Sequence, residues 1–500
     1  MGYVGTVEAI PSTEGKSSFL PLCGVVAIIF AVLLIYSQTA AFSWDEGFHV
    51  LAAQLIARGK RPYLDFCFPQ TPLNAYWNAG WMRIFGDTWH LVHALSALST
   101  TAAVLLAADF IRTRFPESRW RLPGAATTAL VLGLNIVVVE YATIGQSYAF
   151  CLLLLVAAFR VAILAVDRRS GRWTGIAGLL AASAAASSLL TALAAPVLLI
   201  WILCHAPAGR RWARLFSFAA GAVIPFLPVI WLFCQAPRIV FFNLVQYQLV
   251  YRRTNWEDAT PHDVEVLTSW LKSPTALILG LLAVLGLWFV ARRSEWKASS
   301  RAEFYLCAWL ALAIGAELSA THPTFPTYFV LVTPFLAIPA AAGLYVAAAR
   351  IRNPVRAWWP VPILGVLLSL GLAWSLHEDW NKLAWRDMEA VARKVNEVTP
   401  ANGSLWADEH VYFLTRRPPA EGSEFSYAEV IDLPQDMARS LHIVSDQGLA
   451  QKAAEGVFAT VSTCEEDDVI ENLNLPRSFR QHAALGRRCT VFWDPVAKAP

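Results

Sequence analysis

A chain of 500 residues that is 56% hydrophobic and 15% charged, with a mean hydropathy of +0.45, cannot be one soluble globule, because its apolar stretches are too long and too many for a single core. The formal net charge of +3 says little by itself, since in a polytopic membrane protein the placement of Lys and Arg among the loops matters more than their sum. Nothing in the composition supports nucleic-acid binding.

Residues 1–18 are polar and short, and read as a cytoplasmic N-terminal segment. The first apolar run, Phe19 to Tyr36, is long enough to cross a bilayer, for which about 20 residues are needed. A cleaved signal peptide with small residues at Thr39 to Ala41 is the competing reading, but the run exceeds the usual apolar length of such a segment, so it is taken as an anchor.

A polar stretch, Ser43 to Ala79, follows inside a first loop spanning 37–88. Its adjacent carboxylates Asp45 and Glu46 stand just past the membrane span, where a charged pair is expensive to hold without a reason. Val50, Leu51, Gln54, Leu55 and Arg58 fall at helical spacing and suggest an interfacial helix lying along the membrane, ended by Gly59, with a Pro-rich segment to Pro72 folding back over it.

Further spans are expected at Trp89 to Ile111, Leu122 to Val139, Ser147 to Val166, Trp173 to Ser188, Leu190 to His205, Leu215 to Cys234, Thr275 to Ala291, Phe304 to Ala320, Tyr328 to Ala349 and Pro360 to His377. This gives a mainly α polytopic protein of about 11 transmembrane helices, with residues 173–205 either two spans or one kinked helix. The basic connections RTRFPESRWR, DRRSGRW, APAGRRWAR, ARRSEWKASSR and RIRNPVR alternate with EYATIGQ and THPTFP, which lack Lys and Arg. Two spans preserve the alternation, and the positive-inside rule then puts the N-terminus in the cytoplasm and the first loop, Glu140, the 235–272 loop and the C-terminal region outside.

After His377 hydropathy collapses, and residues 378–500 form a candidate small extracytoplasmic α/β domain. WRDMEAVARKVNEVTPANG reads as an amphipathic helix and turn, while SLWADEHVYFLT, SLHIVSD, GVFATVSTC and CTVFWD read as short strands. The domain holds no phosphate-cradling glycine loop and no triad, which favours a supporting or acceptor-binding role. The eight cysteines show no CxxC pair and no Cys/His metal spacing. Cys464 and Cys489 can pair if this region lies outside and should be free thiols if it lies in the cytosol.

Asp45 can act as a general base toward an acceptor hydroxyl or amine, although Ser43, Asp45 and Glu46 equally suit the cap and first turn of a helix. Arg252 and Arg253 stand in an outer loop against the positive-inside bias, where a guanidinium pair can hold a phosphate or simply snorkel to lipid headgroups. His49, one helical turn after Asp45, and His322 with Tyr328 around THPTFP are further candidates for substrate contact; packed polar residues and a plain turn are the bland alternatives. Glu140 is a second outer acid, available to acceptor or metal, or a solvated helix end.

The first loop, with WDEG, then GKRPYLDF and PQTPLNAYW, resembles the membrane glycosyltransferases of the protein O-mannosyltransferase type, including the lipid A aminoarabinose transferase branch. THPTFPTYFVLVTPFLAIPAAAGL and VARKVNEVTPANGSLW are similar to later segments of that family. The resemblance implies a GT-C fold, a polyprenyl-phosphate sugar donor, inverting transfer on the outer face of an inner (plasma) membrane to a lipid, glycan or protein acceptor, Asp45 as base, Glu46 as its neighbour and Asp65 as an accompanying residue. Two departures stand out: the loop EYATIGQS has Gln146 where an acid is expected, leaving Glu140 as the substitute, and SSLLTALAAP lacks the family's lysine. No cofactor is read from the residues; a divalent metal stays open. The alternative is a lipid-linked-sugar flippase or transporter, which would set ionisable groups near the midplane of several spans. Here the spans are almost free of charge, with Asp109 and Glu317 near span ends. A non-catalytic envelope scaffold, the third reading, requires Asp45 and Arg252 to be dispensable.

Overall fold

In the computed structural model the described residues are 19–254, 256, 258–349, 358–378, 382–431, 433–464, 470–471, 473–486 and 488–496. The expected cytoplasmic segment 1–18 lies outside them. Seven described helices are long and apolar enough to cross a membrane: Phe19–Thr39, Trp89–Arg114, Tyr148–Asp167, the run 208–235, Pro274–Arg292, Ala298–Ala320 and Pro360–His377. The protein is therefore a multi-pass membrane protein.

The other four expected spans are shorter or interrupted. Leu122 to Val139 splits into Arg121–Gly133 and Ile136–Tyr141, because Asn135 turns its side chain onto the Val137 N–H at 3.1 Å and caps a new helix. Residues 173–205 form two helices, Gly171–Ser187 and Ala194–His205, separated at the extended residue Ser188. The segment from Tyr328 begins as the 3-10 turn Pro326–Leu331 before the helix Thr333–Ala348.

The first loop departs from the expected interfacial helix. The helix Glu46–Ala57 forms and ends before Gly59, but every residue from Glu46 to Ile56 is buried. It packs on a second loop helix, Leu73–Phe85, and under the C-terminal unit. The reason is in its composition: Phe48, Val50, Leu51, Ala52, Ala53, Leu55 and Ile56 put apolar groups all round the helix, not along one stripe.

The C-terminal unit is α/β, with a four-stranded sheet in the order β1-β2-β4-β3, where β1 is Leu405–Ala407, β2 Thr460–Thr463, β3 Phe479–Leu485 and β4 Cys489–Pro495. β1 pairs with β2 in parallel, and β4 runs antiparallel to both β2 and β3. The helix Trp385–Val398 packs against this sheet with Trp385, Met388, Val391 and Val395 buried. SLHIVSD is not a strand: its first residue, Ser440, ends the helix Gln435–Ser440, and Ser445 caps the helix that its last residue, Asp446, begins, leaving no length to pair. Cys464 and Cys489 form a disulfide joining the end of β2 to the start of β4.

Candidate active site

The loops at one end of the helix bundle and the C-terminal unit enclose a cavity of about 1750 Å³. Its walls come from the first loop (Phe42 to Asp45, Phe48, His49, Pro69 to Thr71), the turn Gln146 to Tyr148, Ser188 to Leu190, residues between Leu244 and Thr254 with Trp256, residues between Glu317 and Tyr328, and the C-terminal unit. None of the described basic connections at 112–121, 167–173, 206–214 or 291–301 contributes to it.

Asp45 is half-buried with its carboxyl on the cavity wall. The Tyr427 hydroxyl donates to its Oδ1 at 2.6 Å. Removal from water raises the Asp45 pKa above the ordinary 3.8, and the Tyr427 hydrogen bond and the Arg252 charge pull it only partly back. Such a carboxylate is a stronger proton acceptor than one in water.

Glu46 sits one residue away in different surroundings. It is 0% exposed and does not reach the cavity. The Gly145 N–H donates to its Oε1 at 2.5 Å, Trp385 Nε1–H donates to Oε2 at 3.0 Å, and His93 Nε2 lies 2.6 Å from Oε1. His93 Nδ1 is 2.5 Å from the Ser37 carbonyl, which can only accept, so that nitrogen is the donor in this contact. Burial alone would push Glu46 up, but the His93 charge and hydrogen bond, with those of Trp385 and Gly145, hold it below its ordinary 4.5.

Two glycines make this possible. A Cβ on Gly145 would stand 2.7 Å from Glu46 Oε1, and a Cβ on Gly47 would stand 2.6 Å from the ring of His410. His410 in turn lies 3.1 Å from the Ser43 carbonyl through Nε2, which must therefore be the protonated nitrogen, and burial lowers its pKa to about 4. The C-terminal unit thus holds Ser43, Asp45 and Glu46 through His410, Tyr427 and Trp385.

Of the other candidates, His49, Arg252, Arg253, His322 and Tyr328 line the same cavity. His49 is 7% exposed with its Nδ1 unpartnered, and burial lowers its pKa to about 4, so it is neutral at pH 7. Arg252 donates to the Tyr328 hydroxyl and, at 2.9 Å, to the Pro323 carbonyl. His322 is committed at both ring nitrogens, 2.6 Å from Asp263 Oδ2 and 3.1 Å from the Trp256 carbonyl, which makes it a brace of the turn.

Asp65 and Glu140 are elsewhere. Asp65 pairs with Arg61 at 2.8 Å, and that hydrogen-bonded pair holds its pKa below 3.8. Glu140 lies in the last turn of Ile136–Tyr141, so the loop presents Gln146 to the cavity in its place, with Nε2 donating to Ser43 Oγ at 3.0 Å. Among the described residues no three His, Cys, Asp or Glu side chains converge as ligands for a metal ion. Sequence reasoning missed Tyr427, Tyr148, Tyr247, Arg386 and Arg488, all on the cavity wall. No spacing marked them, because they meet only in three dimensions.

No protein-family model matches the chain, and no curated protein sequence matches it. Solved structures do. ArnT from Cupriavidus metallidurans bound to undecaprenyl phosphate superposes with a TM-score of 0.67 at 15% identity, covering 95% of this chain and 98% of that one. Its apo form gives 0.68 at 16% identity over 96% and 98%. The arabinosyltransferase EmbB from Mycobacterium smegmatis overlaps more loosely, at 0.48 and 14% identity over 68% of this chain and 31% of that one. With near-complete coverage of ArnT in both directions, this multi-pass membrane protein has the GT-C glycosyltransferase fold.

Proposed function

We propose that the chain is a membrane glycosyltransferase that takes a sugar from a polyprenyl-phosphate donor and passes it, with inversion, to a lipid, glycan or protein acceptor on the outer face of the plasma membrane. The observation that carries the reading is Asp45: a carboxylate on the wall of a large cavity, with a raised pKa, a hydroxyl donor on Oδ1 and the Arg252 guanidinium near enough to lower its pKa. In the reaction the acceptor O–H or N–H loses its proton to Asp45 as its heteroatom bonds to the anomeric carbon, while the bond from that carbon to phosphate oxygen breaks and its electron pair leaves with the polyprenyl phosphate. Arg252, with Arg253 at the rim, offers positive charge to that leaving group. Undecaprenyl phosphate in the ArnT structure supports a lipid phosphate of this class as donor carrier.

Outer-face placement is supported by the basic connections lying away from the cavity and by the Cys464–Cys489 disulfide, a bond of oxidising compartments. The ion pairs of Asp109 with Arg112 and Arg160, and of Arg114 with Asp167 and Glu303, gather at the basic end, unlike the midplane relay of a transporter. Incubating purified protein with labelled polyprenyl-phosphate sugars and a membrane extract should yield one labelled product. Asp45→Asn should lower the rate by about 10²- to 10⁴-fold with folding intact; unchanged turnover in that variant would remove the mechanism.

A further inference from the structure

The C-terminal unit reaches the proposed base directly, through one side chain. Tyr427 lies 382 residues from Asp45 in the chain, yet its hydroxyl donates to Asp45 Oδ1 at 2.6 Å. Its ring is fixed by edge contacts with Phe48, centroids 6.0 Å apart, and by Phe425 at 5.6 Å, so the hydroxyl is aimed by the first-loop helix and by its own loop together. Phe48 and Phe425 are themselves in edge contact at 4.9 Å, which closes the aromatic cluster around the hydrogen bond.

We infer that Tyr427 is a positioning residue of the transfer reaction, holding one oxygen of Asp45 so that the other faces the acceptor and setting the pH range in which the carboxylate is ionised. The inference rests on the reading of Asp45 as base. A phenol hydroxyl that donates to a carboxylate stabilises the ionised form, by an amount typical of hydrogen bonds to charged groups. Tyr427 stays a donor throughout the working range: a phenol ordinarily titrates near 10, and partial burial and the Asp45 charge push it up from there.

The other groups that feel Asp45 are Arg252, Tyr148, Tyr247, Tyr328 and Glu409. Of these Arg252 favours the Asp45 charge, and the Glu409 carboxyl is held by the Ser426 N–H at 2.7 Å, one residue before Tyr427. Tyr427 and Arg252 therefore oppose the loss of hydration between them, from two different parts of the chain.

The test is the pH profile of kcat/KM for transfer by full-length protein in lipid nanodiscs. Tyr427→Phe should move the acid limb upward by about one to two pH units, a ten- to hundredfold loss at a fixed pH well down that limb, with KM for the lipid-linked donor unchanged. Replacement of Tyr427 by 3-fluorotyrosine, a stronger donor of nearly the same size, should move the limb the opposite way, which no folding defect can imitate. A limb that stays put in both variants, or a loss equal at every pH, overturns the inference. Asp45→Asn separates the two claims: if it still transfers sugar, the base assignment fails; if it is inactive while the Tyr427 variants leave the limb in place, only the role of Tyr427 fails.

Discussion

At Asp45 burial works against the charge that the proposed base must carry, whereas at Glu46 the surrounding donors more than offset it. The signs follow. A carboxyl whose folded pKa is raised contributes stability that is present below its unfolded pKa and lost as pH rises through the folded value, so ionised Asp45 is a liability at neutral pH. A carboxyl whose folded pKa is depressed contributes stability that is present above its unfolded pKa, near 4.5, and lost as pH falls through the folded value. Thermal unfolding at pH 7 should accordingly show Asp45→Asn as stable as the parent or more so, and Glu46→Gln less stable by roughly 3 kcal/mol, the cost of breaking one side of a buried, donor-saturated pair. A Glu46→Gln protein that unfolds with the parent would show that the contacts from His93, Trp385 and Gly145 do not stabilise the fold through this carboxylate.

The element on which the site turns is the helix Glu46–Ala57, held between the loop helix Leu73–Phe85 and the C-terminal unit. Gly47 is where the fit is tightest, because the His410 ring occupies the space a side chain would need. Gly47→Ala should force the ring aside, break its hydrogen bond to the Ser43 carbonyl and cost about 1–3 kcal/mol, read as a lowered unfolding temperature together with slower transfer. The sequence marked this helix through its spacing and the Gly after it, and marked Asp45 by putting charge where an apolar span ends. It did not mark the contacts of Glu46 with His93 and Trp385, since His93 reads as one polar residue in a membrane span and Trp385 as one apolar position of an amphipathic helix. The sheet was half legible for a similar reason. β2 and β4 carry alternating or β-branched residues, but β3, FRQHAAL, is largely exposed and carries few, and EHVYFLT folds as the helix Glu409–Thr415.

Across the whole molecule, polarity is sorted by end. One end carries the basic connections and their ion pairs; the other carries the cavity and the disulfide-linked unit. In a background lacking the exposed Cys204 and Cys234, a membrane-impermeant thiol reagent applied to intact cells should label Cys introduced at Glu455 and spare Cys introduced at Ser294. The reverse pattern would invert the topology and with it the compartment of the reaction.

The bonds from His410, Tyr427 and Trp385 to Ser43, Asp45 and Glu46 span 367, 382 and 339 residues. These bonds join the part of the chain made first to the part made last. The surroundings of Asp45 and Glu46 are therefore complete only after the C-terminal unit has been synthesised and has docked.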